Sequence, residues 1–77
     1  MDFLQPDVQE RLMREHTEFR HLLEEHSAAD ARLVFLQNKS HLTPQESVEE
    51  VELKKAKLRA KERIYFIVQE HKRGLSQ

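Results

Sequence analysis

Apolar residues recur along the first half of this chain every seven positions. Leu12, Phe19, His26 and Leu33 make one row, and Val8, Leu22, Ala29 and Leu36 make a second beside it, interrupted only by Glu15. Paired rows of this spacing are the signature of a helix lying against a helical partner. Pro6, followed by Asp7 and Glu10, suits the first turn of such a helix. Because the rows stay in phase across "EHTEF", the pattern predicts one continuous helix over about 6–38, with Thr17 as the cap of a second piece should it break there.

A corner follows at "SHLTPQES", residues 40–47. Thr43 is a good N-cap, Pro44 fits the first helical position, and Glu46 sits three residues after the cap. Together they predict a capping box that satisfies amides left unpaired by the first turn. The second helix then spans about 44–73, with Gly74 as its stop and Lys72 and Arg73 at the negative end of its dipole.

Each helix is roughly 45 Å long at 1.5 Å per residue. A connection at 39–43 forces the two to lie antiparallel and adjacent, residue i facing roughly residue 83 minus i. The predicted fold is all-α: a single domain, 1–77, built as an antiparallel two-helix hairpin of coiled-coil type. Ile64 then meets Phe19, Ala60 meets Leu22 and Leu23, Ala56 meets His26, and Leu53 meets Ala29 and Asp30. Large residues face small ones, as an interdigitating seam requires. The expected seam is Leu12, Phe19, Leu22, His26, Leu33 and Leu36 against Leu53, Ala56, Ala60, Ile64 and Ile67.

Residues 53–65, "LKKAKLRAKERIY", have the look of a phosphate grip: Lys54–Arg63 carries six bases less Glu62, a local charge of +5. Wound at about 100° per residue, however, the segment spends its Leu, Ala and Ile positions on the seam. Lys54, Lys57 and Lys61 flank that seam on one side, and Lys55, Arg59 and Arg63 on the other. Long basic side chains there lay methylenes along apolar surface and keep their charge in water. Helix one offers acids to meet them, such as Glu18 and Glu25. A nucleic-acid or ribosome-associated accessory role through Lys54–Arg63 is the alternative reading, and it lacks a basic face unshared with the core.

Val51, Leu58 and Tyr65 form another sevenfold row away from the seam, with Phe66 and Val48 nearby and Phe35 off the seam of the first helix. A two-helix hairpin has one internal contact line and cannot cover both rows. The surplus row therefore predicts an interaction stripe of Val51, Leu58, Tyr65 and Phe66. Its expected partner is a second copy, giving a homodimer and a four-helix bundle, or else another helical protein, as in a small regulatory adaptor.

Composition narrows the rest. Charged residues make up 35% and apolar residues 38% of 77 positions, with one Gly, two Pro and no Trp, which favours long helices over sheets. The formal net charge of −1 gives no bulk pull toward nucleic acid or anionic membrane. The absence of Cys removes disulfides, thiolate zinc sites and thiol catalysis. No apolar run approaches a membrane span, and "MDFLQPD" is acidic where a signal would be basic, so a cytoplasmic location is expected.

His16, His21 and His26 are five residues apart, each turned about 140° from the last, so three cannot converge on one ion. His21 with Glu25, or His26 with Asp30, has the spacing of two ligands, but a full site would need another chain; no metal or cofactor is expected. His26 is expected at the seam, hydrogen-bonded to Asp30 and neutral, where falling pH would weaken assembly. A helical hairpin has no enclosed pocket and this one has no glycine-rich loop, so no enzymatic activity is expected. Tyr65, the sole tyrosine, reads as an interface residue rather than a catalytic acid.

Two segments, "HTEFRHLLEEHSAADARL" at 16–33 and "LKKAKLRAKERIY" at 53–65, together resemble the YdcH-like family of small bacterial proteins, over roughly residues 12–70. The first is similar to that family's His-x-x-Phe…Leu…His/Tyr…Asp stretch and the second to its Leu-Lys-Lys-x-x-Leu-x-x-Lys-x-x-Ile-Tyr stretch. Ala29 and Ala60 stand where members often carry Leu, and Thr17 where many carry Pro. The resemblance implies a bacterial, cytoplasmic helical hairpin or coiled coil of unassigned activity, and it transfers no catalytic residues.

Overall fold

The computed structural model describes residues 6–75. The first five and last two residues lie outside it. Every regular element among the described residues is helical: α1 spans Pro6–Glu15, α2 spans Thr17–Gln37, and α3 spans Pro44–Leu75. Three helices thus stand where the seam pattern predicts two. The molecule is a rod of 52 × 20 × 17 Å, its long dimension close to the length of α3.

The break falls on a single residue. His16 is extended (φ −127°, ψ 101°), and its imidazole Nδ1 accepts the Phe19 N–H at 3.1 Å, capping α2 as a Ser or Asp side chain would. Its own N–H donates to the Leu12 carbonyl at 2.8 Å, closing the last turn of α1. Arg20 braces the corner by donating from Nη1 to the Met13 carbonyl at 3.2 Å. A one-residue break leaves the sevens in phase, so the apolar rows read as continuous across it.

Beyond the break α1 packs at the open end of the hairpin. Val8 and Leu12 of α1 join Phe19 of α2 and Ile64, Ile67 and Val68 of α3 in one buried cluster, with Met13, Leu22 and Leu23 half-buried against it. Phe19, Ile64 and Val68 are wholly shielded from solvent. Each such side chain contributes about 1.5–3 kcal/mol of burial free energy. Val68, one turn beyond Ile64, lies off the row predicted for the seam and is buried in the same cluster.

At the other end the chain turns through residues 38–43. The capping box forms there in full. The Glu46 N–H donates to Thr43 Oγ1 at 3.1 Å, and the Thr43 N–H donates to Glu46 Oε1 at 3.0 Å. From this corner α3 returns antiparallel to α2, for cross-pairs descend on one arm as they rise on the other: Glu46 with Lys39, Glu49 with Arg32, Lys57 with Asp30, and Arg63 with Glu18. Contrary to the expected stop, α3 continues through Gly74, whose φ is not positive.

Candidate interaction surface

The buried side of α3 is built from Ala60, Ile64, Ile67 and Val68, with Leu53 and Ala56 half-buried along the same side. On α2, Phe19, Ala29, Leu33 and Leu36 are buried, and Leu22 and His26 half-buried. The opposite side of α3 carries the other sevenfold row. Val51 is 48% exposed, Leu58 57% and Tyr65 52%, with Val48 beside them at 64%. At 100° per residue Val51 and Tyr65 fall within about 20° of Leu58, Val48 stands about 80° away, and Ile67 about 180° away.

Phe66 does not share that row, standing about 80° round the helix from Leu58. The Arg63 guanidinium lies 5.1 Å from its ring centroid, and Phe66 lines a different groove, with Leu12, His16, Ile67 and His71 on the α1 side. Phe35 on α2 is covered in the same way by Arg32 at 5.1 Å and Lys39 at 5.8 Å. These cations lie over the rings at cation–π distance, and both rings stay exposed, Phe35 at 54% and Phe66 at 52%. That signal was legible in sequence only as basic residues three or four positions away.

Two of the six bases of the basic segment are engaged across the hairpin. Arg63 holds Glu18 in a two-pronged bond, Nε to Oε2 at 2.9 Å and Nη2 to Oε1 at 3.1 Å. Lys57 donates to Asp30 Oδ1 at 2.6 Å. Lys54 lies 3.9 Å from Glu50 and Lys55 3.8 Å from Glu52, both along the helix. The hydrogen bond from Arg63 holds the Glu18 carboxyl below the usual range, and that from Lys57 does the same for Asp30.

His26 meets different neighbours from those expected. Asp30 gives its carboxylate to Lys57, and among the described residues His26 makes no hydrogen bond to it. His26 lines a groove of about 440 Å³ with Leu33, Gln37, Lys54, Lys57, Leu58 and Lys61. Desolvation, then the charge of Lys57, pushes its imidazole below its ordinary value, outweighing the opposite pull of Asp30. A second groove, about 360 Å³, continues along α3 between Leu58 and Tyr65, with Lys61 and Glu62 at its rim.

Two further facts bound the chemistry. Among the described residues, no group of three or more His, Asp or Glu is placed to hold a metal ion. Also among them, no helix is long and apolar enough to cross a membrane. The Nε2 of His71, between α1 and α3, is buried without a hydrogen-bond partner among these residues. No family model matches the chain, and neither a curated protein nor a solved structure is similar to it.

Proposed function

We propose that this chain is a non-catalytic interaction module that self-associates through the outer row of α3, two hairpins together making a four-helix assembly. The supporting observation is the pair of apolar rows on opposite sides of one helix. Ile64 is fully buried by the hairpin, whereas Leu58 is 57% exposed at the centre of a sevenfold row. Covering a large apolar side chain contributes on the order of 1.5–3 kcal/mol, and a twofold interface covers each of the three residues twice. The resemblance to a family without an assigned activity is compatible with a role in assembly, and the cross-pairing of Lys57 and Arg63 takes two of the six bases of the basic segment away from phosphate.

Sedimentation across a wide concentration range tests the reading. The expected result is a mass that doubles with concentration for the native chain and stays monomeric for Leu58→Asp, with the helical signal retained. A native chain that remains monomeric at every concentration would falsify it.

A further inference from the structure

The outer side of α3 carries a charge pattern as well as an apolar row. Residues 46–52 hold four acids and no base, whereas Lys54–Arg63 holds six bases and one acid. Glu46 and Glu49 are engaged by Lys39 and Arg32 of the same hairpin, which leaves half-buried Glu50 and exposed Glu52 as the acids of this block with no partner across the hairpin. Lys61 and Glu50 lie about 60° and 80° from Leu58 on one flank of the row; Arg59 and Glu52 lie about 100° and 120° from it on the other. Lys54 and Lys55 reach Glu50 and Glu52 only at 3.9 and 3.8 Å, so these acids are weakly held.

We infer that the occupant of this face is the α3 of a second copy, running antiparallel, with the twofold axis at the level of Lys55 and Ala56. This rests on the self-association proposed above and fixes its direction and register. In antiparallel pairing like flanks meet. Glu50 then faces Lys61 of the second copy on one flank, and Glu52 faces Arg59 of the second copy on the other, each contact occurring twice. The apolar rows interleave in the same register. Val51 of one copy enters the groove between Leu58 and Tyr65 of the other, the space of about 360 Å³ rimmed by Lys61 and Glu62. Leu58 of one copy falls between Val51 and Leu58 of the other, beside Lys54. A parallel arrangement would instead lay the acidic block on the acidic block and the basic on the basic, which opposes association.

The chain has no Cys, so single cysteines report the geometry cleanly. Val51→Cys and Lys61→Cys chains, mixed and mildly oxidised, are expected to give the mixed 51–61 disulfide in large excess over either homodisulfide. Predominant 51–51 and 61–61 species, or no cross-link in a chain that sedimentation shows to be dimeric, overturns the antiparallel register while leaving self-association standing. A monomeric native chain removes both readings. As a second measurement, Glu50→Lys with Glu52→Lys is expected to weaken dimerisation about tenfold, and adding Arg59→Glu with Lys61→Glu to restore it. Four substitutions that leave the dimer no stronger than the first two count against the pairing.

Discussion

The two ends of this hairpin are held by different means. At the open end three helices converge, and Phe19, Ile64 and Val68 are closed off from water in one contiguous cluster with Val8, Leu12 and Ile67. At the corner two helices meet. Ala29, Leu33 and Leu36 are buried there but stand apart from that cluster, and the exposed cross-links Arg32–Glu49 and Lys39–Glu46 supplement them. Exposed ion pairs contribute about 0–1 kcal/mol each, far less than a buried aromatic ring. Stability is therefore concentrated at the open end, and the corner depends more on local hydrogen bonding. What separates them is α1, a ten-residue helix that supplies the third wall.

The sharpest way to break this comparison is to empty each end in turn. Phe19→Ala is expected to cost about 3–5 kcal/mol, a large part of the stability of so small a domain. Leu36→Ala should cost about 2 kcal/mol, the low end for such a truncation, because the thinner corner collapses more easily into the space. Urea midpoints of the two variants decide the matter: equal losses, or a larger loss for Leu36→Ala, reverse the assignment of where the stability lies.

Next in size is the cap. Thr43→Ala removes the oxygen that accepts the Glu46 N–H and should cost about 1 kcal/mol. Glu46 is held twice, by Lys39 and by the Thr43 N–H, and both hydrogen bonds keep its carboxyl below the usual range. Glu46→Gln retains an acceptor for that N–H while discarding the charge. Its loss should be smaller than that of Thr43→Ala, and hydrogen exchange of the first turn of α3 should show the same order. Equal protection in both variants would mean that the corner is fixed by packing instead.

The capping box was legible because its donor and acceptor are three residues apart, and local chemistry alone decides whether they meet. The helical composition and the exposed row on α3 were legible for a similar reason, since helix periodicity fixes which residues share a side. The break at His16 was not. It preserves the sevenfold phase, and the capping atom belongs to an imidazole one residue before the Thr that pattern reading offers as the cap. Val68 was missed because the predicted seam row ends at Ile67, although Val68 stands one turn beyond Ile64 and joins the same cluster. Phe66 was assigned to the outer row by proximity, whereas Arg63 and the α1 groove claim it. Asp30 meets Lys57, not Leu53 as the simple register expects, because a long lysine reaches a full turn along its helix.

The smallest expected effect is in pH, and it separates the mid-section of the hairpin from its exposed ion pairs. His26 is pushed below its ordinary value of 6.5, so between that value and its lowered one the unfolded chain holds more protons than the folded one. Stability contributed by the neutral imidazole is complete above 6.5 and declines as pH falls below it. The carboxylates of Glu18, Asp30, Glu46 and Glu49 are shifted down as well, each first by the hydrogen bond from its basic partner, so their contribution is present above the ordinary carboxylate range and disappears only as pH falls through their lowered values. Two windows result: a shallow decline below 6.5 from His26, then a steeper one in strong acid from the four carboxylates. His26→Gln cannot titrate and should flatten the upper window while leaving the lower one in place. Because Lys57 and Lys61 both push the His26 imidazole down across the groove, added salt should shrink the upper decline by screening their share of the shift. Melting curves from pH 7.5 to 3, in low and high salt, carry both readings, and an upper window that survives His26→Gln would assign the titration to another histidine.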